Sequence, residues 1–218
     1  MIRAVVFDLD GVLLDSEHVW DAVREQLVRE RGGRWHDHAQ REMMGMSSRE
    51  WSRYMAHELG VPMEPEEISA AVVARIERRY RERVPLLPRA LETVRGLALH
   101  WPLGLASSAN RPLIGLVLEL TRLASLFRAT VSSEEVARGK PAPDVYLEVA
   151  RRIGVNPHGC VAIEDSTNGI LAASHAGMRA VAVPRPDYPP SREALGRASL
   201  AIGSLSELTP EAVEALAV

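Results

Sequence analysis

The sequence of 218 residues is poor in cysteine, phenylalanine and lysine. Its single cysteine, Cys160, excludes an internal disulfide framework and a zinc site built from several cysteines. No apolar run reaches about 18 residues, and the apolar stretch at the start is too short for a signal peptide. The 26 basic and 29 acidic residues nearly balance, which excludes a strongly basic nucleic-acid footprint. We therefore expect a globular, cytoplasmic protein without nucleic-acid or membrane partners.

The scarcity of lysine is the most specific feature of the composition. Lys140 is the only lysine, so the other 25 basic residues are arginines. Lysine carries a compact ammonium and arginine a planar fork of donors, so the two do not replace each other where geometry is tight. Lys140 is therefore a candidate functional residue. The alternative is that one lysine remains by chance, and its surroundings decide between the two.

Short apolar runs alternate with helical patterns along most of the chain. The runs are rich in Val, Ile and Leu and mostly continuous, which is typical of parallel strands buried on both faces. They cover residues 2–7, 103–106, 129–131, 160–163, 180–183 and 200–202. This alternation predicts an α/β protein with a doubly wound, mainly parallel, Rossmann-like sheet.

Residues 15–83 interrupt this alternation because they contain helical patterns and no convincing strand. Ser47 followed by Glu50, for example, has the spacing of a capping box at the start of a helix. An insertion of roughly 70 residues is too long for an ordinary connection. We expect it to form an α-helical cap domain, inserted into a catalytic core of residues 1–14 and 84–218.

Polar side chains follow the predicted strands at the end where parallel sheets bind ligands. Four carboxylates gathered there would raise one another's pKa, and a hard divalent cation with oxygen ligands relieves this, which suits Mg²⁺. Helix N-termini and an ammonium would attract an anion such as phosphate. The sequence thus predicts a site for magnesium and phosphate. Its residues are Asp8 and Asp10 after the first strand, Ser107, Ser108 and Asn110 after the second, Glu164 and Asp165 after the fourth, and Lys140 before a proline-opened helix.

Four segments of the chain resemble the motifs of one enzyme family. In order, they are FDLDGVLLDS, LASSAN, GKPAPDVY and AIEDSTNGILAASHAGM. They are similar to the four motifs of the haloacid dehalogenase superfamily, in its phosphatase and beta-phosphoglucomutase-like branch with a helical cap. A D-x-D motif alone is weak, but four motifs in order, with the only lysine inside the third, are specific. The resemblance covers essentially the whole chain.

The resemblance implies a Mg²⁺-dependent phosphatase that acts on a small phosphorylated metabolite. Asp8 would be the nucleophile that becomes an aspartyl phosphate, and Asp10 would be the general acid and then the base. Asp8, the backbone carbonyl of Asp10 and Asp165 would hold Mg²⁺, with Glu164 in or near that shell.

The resemblance also implies contacts to the substrate. Ser107 and Lys140 would bind the oxygens of the phosphoryl group, and Ser108 and Asn110 are candidate substrate contacts beside them. Arg49 lies in the first turn of the capping-box helix, where an anion is favoured, so we expect it to bind a distal anionic group. The alternative for Arg49 is a solvated surface arginine.

The nearest alternative is a sugar-phosphate mutase of the beta-phosphoglucomutase type. The mutases have a histidine where this chain has Trp20, and a lysine where it has Asn110 or Arg111. These departures favour hydrolysis. Dehalogenation is disfavoured because that branch lacks an acid equivalent to Asp10.

Two further alternatives come from other classes of protein. A phospho-accepting receiver domain places its aspartate after the third strand, where this chain has SSEE and no aspartate. A catalytically silent binding protein would have lost Asp8, Asp10 or Lys140, and all are present. For the enzyme, we expect a monomer or a weak homodimer.

Overall fold

The computed structural model describes residues 1–44 and 46–217. Its sheet has six parallel strands in the order β3-β2-β1-β4-β5-β6, the order of doubly wound dinucleotide-binding folds. The predicted fold class is therefore confirmed, and each predicted run overlaps a strand. The strands are β1 (Ala4–Phe7), β2 (Leu103–Ser107), β3 (Phe127–Ser132), β4 (Cys160–Glu164), β5 (Arg179–Ala182) and β6 (Leu200–Ala201).

Helices connect the strands, and the longest connection joins β1 to β2. This connection contains α1 (Glu17–Glu30), α2 (Ala39–Met43), α3 (Ser48–His57), α4 (Pro65–Glu82) and α5 (Ala90–Ala98). The later helices are α6 (Arg111–Thr121), α7 (Asp144–Ile153), α8 (Thr167–His175), α9 (Arg192–Arg197) and α10 (Pro210–Glu214). Within the described part of the chain, no helix combines the length and hydropathy needed to cross a bilayer.

The central strands β1, β2 and β4 are apolar up to their last residues because both faces of the sheet are covered there. Along β1, Val5 and Phe7 join the core on one face, whereas Ala4 and Val6 join the core on the other. Because side chains alternate in this way along any strand, both sets of side chains are mostly apolar where both faces are covered.

The register of the central strands brings Asp8 level with Glu164 of β4 and Ala106 of β2. Phe7 is paired with Leu105 of β2 and with Ile163 of β4. The N–H of Asp8 continues this pairing by donating to the carbonyl of Ile163 at 3.0 Å. Asp8 therefore leaves the sheet between the ends of β2 and β4. The chain continues from β1 to β2 and β3 on one side and then to β4, β5 and β6 on the other, so β1 lies at the point where the strand order changes direction.

The helices inserted after β1 start where their sequence signals predict. The N–H of Ser47 donates to Oε2 of Glu50 at 2.8 Å at the start of α3, and Pro65 opens α4. Trp51 and Ile68 are among the buried side chains of α3 and α4, and these are continuous with the core on one face of the sheet. The bounds of a separate cap domain, 15–83, stay a prediction.

Candidate active site

The carboxyl ends of β1 and β4 hold two carboxylates on either side of one ammonium. Nζ of Lys140 lies 2.9 Å from Oδ1 of Asp8 and 2.6 Å from Oε1 of Glu164. It also donates to the carbonyl oxygen of Ala106 at 3.1 Å. Burial alone would lower the pKa of Lys140, but the two carboxylates more than offset it and raise that pKa. The only lysine of the chain is thus a buried, permanently charged group.

Glu164 is held in place through both of its carboxylate oxygens. Oε1 accepts hydrogen bonds from Lys140 and from the hydroxyl of Tyr146, at 2.6 and 2.5 Å. Oε2 accepts from the N–H of Asp165 at 3.2 Å and from the hydroxyl of Ser166 at 3.3 Å. Because the chain occupies both oxygens, Glu164 fixes the position of Lys140.

A glycine in the first turn of α8 makes room for this carboxylate. A Cβ built on Gly169 would lie closer than 3.0 Å to all three atoms of the Glu164 carboxyl group. Any side chain at Gly169 would therefore push Glu164 away from Lys140.

The residues next to this pair fit a divalent cation. One carboxylate oxygen each from Asp8, Glu164 and Asp165 lie within 4.8 Å of one another. Asp165 is 2% exposed, and its Oδ2 has no hydrogen-bond partner among the described residues. Burial, reinforced by Glu164 and Asp8, raises the pKa of Asp165 well above its usual range. An unpartnered oxygen in a buried group of acids, with oxygen donors only, suits Mg²⁺.

Burial also raises the pKa of Asp8, although the Lys140 ammonium opposes the shift. A nucleophilic carboxylate has to be ionised, and burial opposes the ionisation of Asp8. A second positive charge beside Asp8 would stabilise its ionised form.

Asp10 is half-buried and is contacted by a tryptophan of α1. Nε1 of Trp20 donates to Oδ1 of Asp10 at 3.1 Å. Burial raises the pKa of Asp10, and this hydrogen bond partly opposes the shift. Since an indole N–H is only a donor, Oδ1 accepts and a proton on Asp10 belongs on Oδ2.

The serines after β2 differ in what they face. Ser107 is buried, and its hydroxyl oxygen accepts from the N–H of Ala109 at 3.0 Å. Ser108 is half-buried and lines the same cavity as Asp8, Asp10 and Lys140. The structure therefore brings Ser108 to the cavity surface and places Ser107 behind it.

The other predicted substrate contacts, Arg49 and Asn110, do not line this cavity. They line a neighbouring one, where Nδ2 of Asn110 donates to Oε1 of Glu134 at 2.7 Å and Arg49 is exposed. A role for either residue in binding a substrate stays a prediction.

Side chains of the segment inserted after β1 also line the cavity that holds Asp8, a role that was not predicted from the sequence. Nη1 of Arg24 donates to Oε1 of Gln40 at 3.1 Å, and Nε2 of Gln40 donates to Oε2 of Glu17 at 2.7 Å. Burial lowers the pKa of Arg24 to about 10 and raises that of Glu17 to about 7. The wall consists of Glu17, Trp20, Arg24, Met43, Met44, Met46 and Trp51.

A signal for this wall was present in the spacing of α1. Glu17, Trp20 and Arg24 follow one another at three and four residues, so they share one face of the helix. A tryptophan between two charged residues on that face indicates that the face is covered.

Comparisons with known proteins agree with this geometry. The model of the haloacid dehalogenase-like hydrolase family matches residues 2–177. The probable pseudouridine-5'-phosphatase of Drosophila melanogaster is 36% identical over 213 residues, or 94% of this chain and 91% of that protein. Hexitol phosphatase B of Escherichia coli (strain K12) is 33% identical over 223 residues, which cover 95% of each protein.

A solved structure shares the fold over the whole chain. Beta-phosphoglucomutase from Clostridium difficile superposes with a TM-score of 0.85 and 23% identity, covering 99% of this chain and 97% of that one. At that identity the likeness shows the fold alone. The family model and the two phosphatases carry the assignment further: the chain belongs to the haloacid dehalogenase-like hydrolase family and is a phosphoric monoester hydrolase.

Proposed function

We propose that the protein is a Mg²⁺-dependent phosphatase that hydrolyses a small phosphorylated metabolite through an aspartyl phosphate on Asp8. The observation that carries this proposal is the buried convergence of Asp8, Asp165 and Lys140 where β1 and β4 end. Nζ of Lys140 lies 2.9 Å from Asp8, and the Asp165 oxygen left without a partner belongs to the same group of acids.

The metal site would consist of Asp8, Asp165 and the backbone carbonyl of Asp10, with Glu164 beside it. Mg²⁺ bound there would supply positive charge to the phosphoryl oxygens and to Asp8. Lys140 supplies the second positive charge, and Glu164 holds its ammonium in position. Charges fixed in place before the reaction stabilise the transition state without reorganisation.

The reaction divides one displacement into two. A carboxylate oxygen of Asp8 forms a bond to phosphorus while the bond to the leaving alcohol breaks, and Asp10 gives its proton to that alcohol. Asp10 then takes a proton from water as the water oxygen attacks phosphorus, which releases phosphate and restores the Asp8 carboxylate. The indole of Trp20 holds Oδ1 of Asp10, which leaves Oδ2 for the proton in both steps.

The charges of the cavity favour hydrolysis over a mutase. A mutase handles a bisphosphate and needs a second anion site beside the first. Among the described residues that line the cavity, the cations are Lys140 and Arg24. Lys140 is paired with Asp8 and Glu164, and Arg24 lies near the carboxylates of Glu17 and Asp10, which oppose a second phosphate.

The relatives and the composition support proposals on the size of the substrate and on the partners of the protein. The two phosphatases described above are named for small phosphorylated metabolites, pseudouridine 5'-phosphate and hexitol phosphates, which supports a substrate of that size. The near balance of charge supports a protein without nucleic-acid partners. We also propose a cytoplasmic location, no membrane partner, and a monomer or weak homodimer.

The test is phosphate release from a panel of phosphorylated metabolites, with and without Mg²⁺. Asp8→Asn should lower kcat with p-nitrophenyl phosphate by at least about 1000-fold, because the covalent route is lost. The exposed Asp37→Asn is the matched control. Activity of Asp8→Asn near that of the wild type would show that Asp8 is not the nucleophile. Full activity in the presence of a chelator would show that the reaction does not need a metal.

A further inference from the structure

The wall of the cavity that holds Asp8 contains a buried guanidinium without a carboxylate partner. Arg24 is 5% exposed, and no ion pair within 4.0 Å joins it to an acid in the described part of the chain. Its hydrogen bond to Gln40 satisfies one N–H, and its Nε has no acceptor there. A buried charge in this state is costly unless a further acceptor binds to it.

Two tryptophans determine how this guanidinium can be approached. Its central carbon lies 4.6 Å from the ring centroid of Trp20 and 4.8 Å from that of Trp51. The two ring centroids lie only 6.0 Å apart, so the rings are next to each other rather than on opposite faces, and a ligand can reach only the N–H donors that they leave uncovered. The same guanidinium lines the cavity that holds Asp8 and Lys140, so that ligand is the substrate.

The carboxylate of Glu17 near Arg24 restricts which chemical groups the leaving group can carry there. Glu17 lines the cavity as well and is linked to Arg24 through Gln40. A second anionic group on the substrate would meet Glu17 and Asp10, and an alkyl or aryl group would leave Nε of Arg24 without an acceptor. A hydroxyl group accepts from a guanidinium and donates to a carboxylate, so it suits both.

We propose that Arg24 is a specificity-determining residue that binds a hydroxyl oxygen of the leaving group, so that the enzyme selects phosphate esters of neutral, polyhydroxylated metabolites. This inference rests on the proposed phosphatase function and concerns the same cavity. An open-chain polyol and a sugar ring share the required chemistry.

The experiment compares substrates that differ only in hydroxyl groups. Sorbitol 6-phosphate and n-hexyl phosphate both carry six carbons, and ribose 5-phosphate offers hydroxyls on a ring. The measured quantity is the ratio of kcat/KM for each hydroxylated ester to kcat/KM for n-hexyl phosphate. The wild type should favour at least one hydroxylated ester, and Arg24→Met should lower that ratio about 100-fold, because the site loses its donors.

Two further variants separate recognition from folding. Arg24→Lys keeps the charge but loses the planar edge, so its ratio should fall by about tenfold. Arg29→Met changes an arginine on the exposed side of α1, where the side chain is 69% exposed, and should leave the ratio unchanged. Far-ultraviolet circular dichroism and Tm show whether each variant is folded.

Binding provides a readout that does not depend on turnover. Calorimetric titration of sorbitol 6-phosphate and of ribose 5-phosphate into Asp8→Asn, with and without Arg24→Met, should show Kd raised about tenfold for the favoured ester. If the wild type turns over no ester but binding still depends on Arg24, the phosphatase proposal fails and the assignment of Arg24 stands.

Three results would overturn the inference while the phosphatase function stands. The first is a wild type that prefers n-hexyl phosphate to both hydroxylated esters. The second is a ratio unchanged in both Arg24 variants. The third is an equal loss for all substrates in Arg24→Lys, which would make Arg24 a structural residue.

Discussion

Replacing Gly169 by alanine tests whether the Glu164 carboxylate has to stay where it is. Gly169 is buried in the first turn of α8, and its φ angle is ordinary, so the backbone itself accepts alanine. A Cβ there would overlap the Glu164 carboxyl group, which lies closer than 3.0 Å to the built atom. Either the carboxylate or the helix has to move, and we expect the carboxylate to leave Lys140 and Tyr146.

The magnitude follows from two opposing contributions. Alanine in place of glycine favours a helix by at most about 1 kcal/mol. Moving Glu164 breaks its hydrogen bonds to Lys140 and Tyr146, and hydrogen bonds to charged groups contribute about 1.5–3 kcal/mol each. The free energy of unfolding should therefore fall by about 3 kcal/mol, which lowers Tm by about 6–12 °C in a chain of this length.

Gly115→Ala is the matched control because Gly115 lies inside α6 with no atom within 4 Å of a built Cβ. It should raise the free energy of unfolding by about 0.5–1 kcal/mol. Thermal unfolding by circular dichroism measures both variants, and kcat/KM with p-nitrophenyl phosphate should fall only for Gly169→Ala. If Gly169→Ala were as stable and as active as Gly115→Ala, Glu164 would not be the residue that positions Lys140.

Three other predictions concern the ammonium of Lys140, the buried carboxyl groups and the indole of Trp20. Lys140→Arg keeps the charge, but a guanidinium does not fit among oxygens 2.6–3.1 Å from Nζ, so kcat/KM with p-nitrophenyl phosphate should fall at least about 100-fold; activity equal to that of the exposed Arg138→Lys would contradict this. Carboxyls whose pKa is raised by folding, such as Glu17 at about 7 and Asp8, favour the folded state at low pH and lose that contribution as pH rises, so Tm of the metal-free protein should fall from pH 5 to 8. Mg²⁺ should then raise Tm more at pH 8 than at pH 5, and equal gains at both values would show that it binds elsewhere. Trp20→Phe keeps a ring and loses the N–H to Asp10, so kcat should fall about tenfold more for an alkyl phosphate, which needs the proton, than for p-nitrophenyl phosphate; an equal fall would separate Trp20 from proton transfer.

The sheet was predictable because a strand that is buried on both faces appears in the sequence as a short, continuous apolar run. Every residue of β1, β2 and β4 is buried, and each strand appears as an apolar run, which in β2 and β4 stops one residue before the end, at Ser107 and Glu164. The short helix α2, at Ala39–Met43, was not predicted because five residues contain too little periodicity. Helix starts were predictable where a side chain marks them, as Pro65 does for α4.

Some residues of the candidate site could be predicted from their place in a strand, whereas others depend on how the helices pack. Asp8 and Glu164 follow directly from strand ends, because the order of parallel strands brings those ends together. Arg49 shows the limit of this reasoning, since a capping box predicts where a helix starts but not which cavity its first turn faces. Arg24 was missed because its spacing from Glu17 and Trp20 shows which face of α1 they share, but not that the arginine packs against two tryptophan rings.

The geometry of the site explains why the residue at position 140 is a lysine in a chain that otherwise uses arginine. An arginine in its place would spread its charge over a fork wider than the space between Asp8, Glu164 and the Ala106 carbonyl, whereas an ammonium reaches all three. That ammonium is shared by several buried acids at the ends of β1 and β4, and burial, together with the neighbouring carboxylates, raises the pKa values of Asp8 and Asp165. The chain thus supplies one fixed positive charge and leaves room, at the unpartnered oxygen of Asp165, for a second that is exchangeable. A second lysine would neutralise the acids permanently and stabilise the protein, but it would leave no place for the proposed metal ion.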